Sequence, residues 1–181
     1  EPCDFQAVYE RDAITGLRKN VKRRIQYCNA TRIGMGLHSV SWRVNVSALD
    51  RADLIHDSLK WIAGEKSSIN ITKDKSFHGA EQHTIVAKNM NKKDSRRSLE
   101  RLGYEILIEL LENNIQQRLD EDKNFYIRLK LSDLVKGEIS LADGNTISST
   151  VEGKFKIESY PGDSTIDVIS NLIEDIIKSS K

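Results

Sequence analysis

The chain has 181 residues, with 28 Lys and Arg against 27 Asp and Glu and 38% hydrophobic residues. The length suits one domain, or one domain with an extension, and the apolar content is sufficient for a folded core, which argues against a disordered chain. No apolar run reaches the roughly 18 residues that a membrane-spanning helix needs. The net charge of +1 does not reveal how the charges are distributed, so it neither implies nor excludes nucleic acid as a partner.

Residues 1–34 differ from the rest and are predicted to form an N-terminal extension or leader. They contain both cysteines, Cys3 and Cys28, and they end just before Met35. Two interpretations stay open: Met35 is the physiological start, or the segment is an ordinary N-terminal arm. Because no basic segment precedes an apolar block, the sequence shows no secretion signal. The two cysteines could form a disulfide, but since the rest of the chain contains no cysteine we expect a reduced state and a cytoplasmic protein.

Residues 35–181 are predicted to form a single domain, beginning with a strand at 40–46 in which apolar and polar residues alternate. Ser47 and Asp50 resemble a capping pair, and the helix behind them is predicted to end near Gly64. Its apolar positions are Leu54, Ile55, Leu59 and Ile62. Two more strands are then predicted, Ser68 to Thr72 and His83 to Met90.

The longest predicted helix covers about 92–119. Gly103 inside it costs about 1 kcal/mol relative to alanine, and we expect it to permit close packing on the sheet. Three further strands are predicted at 125–129, 138–142 and 150–158. A last helix follows, and the sequence assigns its cap to one of two residues, Asp163 or Ser164.

Neighbouring strands are joined by connections too short for crossover helices, which predicts antiparallel pairing. The predicted fold class is therefore α+β, with an antiparallel or mixed sheet and helices packed on one face.

Basic residues gather near the start of the long helix, with Asp94 and Glu100 as the opposing acids. The cluster consists of Lys88, Lys92, Lys93, Arg96, Arg97 and Arg101. Like charges three or four residues apart weaken a helix, so phosphate groups are a candidate partner, and a solvated helix face is the alternative. Further basic residues are predicted on the non-core side of the later strands, around Tyr126, and this sheet surface is a second candidate for RNA. They are Arg128, Lys130, Lys154 and Lys156.

The loop Ser76-Phe77-His78-Gly79 places an aromatic ring beside a histidine and a glycine. Phe77 and His78 are candidates for contacts near RNA bases. In the structural alternative, Phe77 packs on the edge of the core and Gly79 supplies a turn with positive φ.

Motifs for catalysis and cofactors are missing from the sequence. It has no Walker loop, no dinucleotide-binding glycine motif, no zinc-spaced cysteine pair and no Ser or Cys nucleophile motif. We therefore expect a protein that is not an enzyme and uses no cofactor. A small hydrolase or metal site built from His78, His83 and Glu81 is a further hypothesis.

Several short segments resemble a family of small archaeal proteins described as RNA-binding proteins and predicted exosome subunits. The resemblance spans about residues 37–178 and rests on four segments. These are Ser76 to Gly79, Lys92 to Leu99, Phe125 to Arg128 and Lys136 to Leu141. It implies a fold similar to that of the ribosomal protein that binds 5S rRNA. It also implies RNA as partner, and its motif residues match Phe77, His78, Gly79, Arg128 and Gly137.

These observations predict a non-catalytic, single-domain RNA-binding protein that acts in RNA processing or degradation, with exosome subunits as possible further partners. The predicted RNA contacts are Phe77, His78, Gly79, Lys88, Lys92, Lys93, Arg96, Arg97, Arg101, Arg128 and Lys130. The alternative is a protein-interaction or homodimerisation module that does not contact RNA.

Overall fold

A computed structural model describes residues 10–11, 18–19, 36–47, 50–75, 79, 81–113, 115–142, 144, 149–160 and 162–179. The chain divides into two compact units, Glu1–Ile33 and Gly34–Lys181. In the first unit, β1 (Glu10–Arg11) pairs with β2 (Arg18–Lys19) in antiparallel orientation.

The second unit contains a five-stranded sheet and its helices. In chain order these elements are β3 (Leu37–Ser47), α1 (Ala52–Ala63), β4 (Ser68–Lys75), β5 (Glu81–Asn89), α2 (Lys92–Glu100), α3 (Tyr104–Glu112), a 3-10 helix (Ile115–Arg118), β6 (Asn124–Lys130), α4 (Leu131–Lys136), β7 (Thr150–Ile157) and α5 (Thr165–Ser179). The strand order is β4-β5-β3-β7-β6, and every neighbouring pair is antiparallel. The predicted α+β class is confirmed.

The core lies between the helices and one face of the sheet. Trp42, Phe125 and Phe155 are fully buried there, and Trp42 meets Phe155 edge to face with ring centroids 5.6 Å apart. The indole Nε1 of Trp42 donates a hydrogen bond to Ser98 Oγ on α2, at 2.9 Å. This bond ties the first helix after β5 to the central strand of the sheet.

The prediction of one helix over 92–119 is wrong. The helical conformation stops after Glu100, and a new helix begins at Tyr104. Gly103 between them has φ +83°, a left-handed backbone that L side chains rarely adopt. A Cβ at Gly103 would meet no atom within 4 Å, so this glycine turns the chain and does not serve close packing.

The predicted strand at 138–142 is also absent. β6 runs directly into α4, and the segment after α4 returns alongside the end of β6. There it makes only a Leu129–Leu141 bridge, with hydrogen bonds from Lys130 N to Ser140 O and from Ala142 N to Arg128 O. One bridge with two hydrogen bonds does not extend into a ladder. The segment is therefore not a strand, although apolar and polar residues alternate in Glu138 to Leu141.

The predicted capping pair before α1 has a different role. Asp50 Oδ2 accepts a hydrogen bond from Ser47 N at 2.8 Å, and both residues precede the first residue of the helix. The first turn of α1 follows Arg51 and has no side-chain cap. Ile55, Leu59 and Ile62 of α1 are buried as predicted, whereas Leu54 is exposed. At α5, Ser164 Oγ accepts from Asp167 N at 3.4 Å, which identifies the cap.

Candidate nucleic-acid interface

The face of the sheet turned away from the helices carries polar and basic side chains, and we call it the open face. Side chains alternate along a strand, so every second residue of β3, β5, β6 and β7 lies here. Its cations are Arg43, Lys88, Arg128, Lys130, Lys154 and Lys156. The side chains of Arg43, Lys88, Arg128 and Lys154 are exposed.

At the centre of the open face, residues that pair across neighbouring strands form two rows. The first row runs Ser68, Lys88, Ser41, Lys154, Tyr126, and the second runs Asn70, Val86, Arg43, Glu152, Arg128. Lys88 and Lys154 are two strand spacings apart, about 10 Å, and the rows are about 7 Å apart along the strands. Cations from four strands thus lie on one surface.

A depression of ≈ 650 Å³ lies across these rows. Short side chains line part of it, among them Ser39, Ser41 and Thr84, together with the cations Arg43, Lys88 and Lys154. The lining also includes the apolar side chains of Val86 and Met90 and the acid Glu152, so the depression is a mixed surface with more positive than negative charge.

Tyr126 is the aromatic residue of the first row, and both its ring and its hydroxyl group have partners. Lys154 Nζ lies 5.6 Å from its ring centroid, and the phenol donates a hydrogen bond to Asp120 Oδ2 at 3.0 Å. Asp120 also accepts from the backbone N and the side-chain Nδ2 of Asn124, both at 2.7 Å. Burial raises the pKa of Asp120, but these hydrogen bonds and the charge of Lys154 outweigh it and leave the pKa below its ordinary value.

Glu152 is the acidic residue within the two rows. Its Oε1 lies 3.9 Å from Nη2 of Arg128, and the side chains of Arg128 and Glu152 are 66% and 39% exposed. An ion pair of this length at a surface is weak, so Arg128 remains available to a stronger anion.

The cations of α2 lie on the other side of the sheet. α2 packs against the core face through Ser95, Ser98 and Leu99, so its exposed residues Lys93 and Arg97 point away from the open face. The structure therefore separates the predicted contacts into two groups. Lys88, Arg128 and Lys130 belong to the open face, whereas Lys92, Lys93, Arg96, Arg97 and Arg101 belong to the helical side.

The α2 cations do not need phosphate to offset their mutual repulsion. Arg96 Nε lies 3.0 Å from Glu100 Oε1, and Arg97 Nη1 lies 3.4 Å from Asp94 Oδ1. Lys92 pairs with Glu158, and the hydrogen bond from Lys92 holds the pKa of that carboxyl below its ordinary value.

Arg101 has a structural contact of its own on the helical side. Its guanidinium donates to the backbone carbonyl of Trp61 and lies 5.9 Å from the centroid of that ring. Four of the five predicted cations on this side therefore already contact an acid or a backbone carbonyl.

The described ends of β4 and β5 that flank Gly79 lie far from Lys88. Phe77 and His78 fall outside the described residues, and Gly79 has φ +80° with open space around it. The flanking strands end at Lys75 and begin at Glu81, seven residues along β5 from Lys88. At the rise of a strand this is roughly 23 Å, so the structure does not place Gly79 beside the central cations.

Sequence reasoning missed Arg43, which is central to the open face. The sequence does indicate that Arg43 faces away from the core, because it lies between Trp42 and Val44 in the alternating strand and both of these are buried. What the sequence does not show is that β5 and β7 flank β3, which brings Lys88 and Lys154 to either side of the strand carrying Arg43.

Two other predictions concern metals and membranes. Within the described part of the chain, no three His, Cys, Asp or Glu side chains are grouped to hold a metal ion, and His78 of the hypothetical metal site lies outside that part. No helix formed by the described residues combines the length and apolar character needed to cross a membrane.

Solved structures of three archaeal DUF54 proteins are similar to this chain in fold. The one from Methanothermobacter thermautotrophicus has a TM-score of 0.61 at 16% identity, over 78% of this chain and 98% of its own. The one from Archaeglobus fulgidus has a TM-score of 0.63 at 20% identity, over 75% and 99%. The one from Sulfolobus solfataricus has a TM-score of 0.57 at 14% identity, over 79% and 99%. At these identities the similarity establishes the fold alone.

No curated protein matches the chain. A family model described as RNA binding matches residues 39–157, which is more than half of the chain and covers the five-stranded sheet except for the first two residues of β3. The chain belongs to this RNA-binding family.

Proposed function

We propose that the protein binds RNA through its open face and does not catalyse a reaction. The observation that carries this proposal is the charge of a sheet face that no described element covers. Among the strand residues of this face, six are cations and two are acids, Glu152 on β7 and Asp74 at the far end of β4. Because RNA carries one phosphate per nucleotide, such a surface gains affinity by releasing the counterions of the phosphates it contacts.

The resemblance to predicted exosome subunits supports a role as an accessory factor in RNA processing or degradation. In that role the protein would hold or deliver RNA to a partner that performs the chemistry. The same proposal predicts that RNA incubated with the purified protein is recovered at full length, and that exosome subunits co-purify with the protein from its native extract.

The site is tested by comparing two double variants that each remove one lysine and one arginine charge. Arg43→Gln/Lys88→Gln changes the open face, and Lys93→Gln/Arg97→Gln changes the helical side. Binding of a fluorescein-labelled structured RNA is measured by anisotropy over a range of salt concentrations. The open-face variant should bind more weakly, and its slope of log K against log salt should become shallower by about two, which is about one per lost phosphate contact. The helical variant should retain the parental slope.

The opposite pattern would move the site to α2 and its neighbours. If both variants bound RNA like the parent at every salt concentration, neither surface would be the site. Circular dichroism of both variants provides the control for folding, because Arg43 and Lys88 lie on an exposed surface and contribute little to the core.

A protein-interaction module is the second candidate function, and one feature of β4 favours it. β4 is at the edge of the sheet, and Ile71 on this strand is 55% exposed. An exposed edge strand offers hydrogen-bonding groups to another chain. Size-exclusion chromatography with and without RNA distinguishes the two functions, since a dimer that forms without RNA and is lost in Ile71→Lys would favour this candidate.

A further inference from the structure

We propose that the open face binds double-stranded RNA and holds its sugar–phosphate backbone without reading the base sequence. This inference rests on the proposed function and names the class of RNA. It follows from three properties of the open face: the contacts of its aromatic ring, the arrangement of its cations, and the hydroxyl groups between them.

Among its described residues, the open face has no free platform for stacking bases. Tyr126 is its one aromatic residue among those described, and that ring already holds Lys154 Nζ at 5.6 Å. The phenol is bound to Asp120, which in turn is fixed by Asn124. Sheets that recognise single-stranded RNA stack two or three bases on exposed aromatic rings, and this face does not supply them.

Cations lie on both sides of a depression whose lining includes hydroxyl groups as well as the apolar side chains of Val86 and Met90. Lys88 and Lys154 are about 10 Å apart in one row, and Ser41 lies between them on β3. Ser39 and Thr84 add hydroxyl groups to the lining of the same depression. Positive charge therefore flanks a strip of short hydrogen-bonding side chains.

An A-form duplex presents a complementary surface. Its minor groove is wide and shallow, displays the ribose 2′-hydroxyls, and is bordered by the phosphates of the two strands. A face whose cations flank hydroxyl groups is complementary to that groove in charge and in hydrogen-bonding groups. We therefore assign the phosphates to Lys88, Lys154 and Arg43, and a ribose 2′-hydroxyl to Ser41.

Four probes of equal length test the class of nucleic acid with the full chain. They are two RNA duplexes of unrelated sequence and equal GC content, one unstructured single strand, and a DNA duplex. The two RNA duplexes should bind with affinities within about twofold of each other, and both should bind about fivefold or more tightly than the single strand and the DNA duplex.

Two substitutions test which side chains of the open face contact the RNA. Ser41→Ala should reduce the preference for RNA over DNA duplex and leave the salt slope unchanged, because it removes a hydroxyl and no charge. Tyr126→Leu should leave duplex affinity within about twofold of the parent, because the ring does not stack on a base. Ser132→Ala on α4, an exposed serine away from the open face, is the control for Ser41→Ala.

The outcomes separate this inference from the proposed function. Tighter binding of the single strand, lost in both Tyr126→Leu and Arg43→Gln/Lys88→Gln, would overturn the duplex assignment while the open face remained the RNA site. A strong preference between the two RNA duplexes would overturn the claim that sequence is not read. Binding of no RNA, or binding that open-face substitutions leave unchanged, would overturn the proposed function and this inference with it.

Discussion

The indole of Trp42 lies directly over the backbone of Gly153 on the neighbouring strand. The two residues are paired in the β3–β7 register, and Gly153 is buried. A Cβ at position 153 would lie 2.6 Å from Cη2 and 2.8 Å from Cε3 of the indole, closer than real atoms approach. Since Trp42 is fully buried, with its Nε1 bound to Ser98, the ring has no free space into which to move.

Gly153→Ala is therefore expected to lower the free energy of unfolding by about 1–3 kcal/mol, the usual cost of overpacking a core. Urea unfolding measures the change. Gly144→Ala is the matched control, because a Cβ there meets no atom within 4 Å, and it should change stability little. Equal stability of the two variants would contradict the close packing of Trp42 on β7.

Ser98→Ala should also destabilise the protein, for a different reason. It removes the acceptor of the buried Trp42 Nε1 hydrogen bond, and a buried donor left without a partner costs about 1–3 kcal/mol. Ser67→Ala makes the same chemical change at a buried hydroxyl that has no hydrogen-bond partner, so it should be close to neutral. If the two variants had the same urea midpoint, the Trp42–Ser98 bond would contribute nothing measurable.

Asp120→Asn should make stability less dependent on pH at the acid end. The folded-state pKa of Asp120 lies below its ordinary value of 3.8, so its contribution to stability is present above that pH. The contribution is lost as pH falls from about 4 through the folded-state pKa, because the carboxyl then takes up a proton. The difference in unfolding free energy between parent and Asp120→Asn should therefore be largest near neutral pH and shrink on acidification.

The matched control for that experiment is Glu121→Gln, which removes one negative charge from the exposed neighbouring residue. A difference between parent and Asp120→Asn that stayed constant from pH 7 to about pH 2 would show that ionisation of Asp120 does not contribute to stability.

Gly103→Ala tests the break between α2 and α3. The Cβ has open space, so any loss of stability comes from the backbone at φ +83°, where an L residue other than glycine costs about 1–2 kcal/mol. Gly103→Asn should cost less, because asparagine tolerates the left-handed conformation better than alanine. If alanine raised both stability and helix content, the two helices would have joined into the single helix that the sequence suggested.

Local patterns in the sequence were sufficient to predict the strands and helices whose apolar residues recur with a clear period. Alternation in β3 and β7 placed Trp42 and Phe155 inward, and the cap at Ser164 was one of the two residues expected. These predictions succeeded because side-chain orientation along a strand or helix is fixed by local geometry. The same reasoning failed at Gly103, because the sequence does not reveal whether a glycine within an apolar pattern adopts positive φ.

The sequence alone thus determined the α+β class, the inward and outward faces of the strands, and the presence of two basic regions. Only the tertiary structure decided how those regions relate. Strand order brought Arg43 between Lys88 and Lys154 on one face, and packing of α2 by Ser98 turned Lys93 and Arg97 to the other side. The physical reason is that a surface formed by several strands depends on contacts between residues distant in sequence, which local periodicity does not encode.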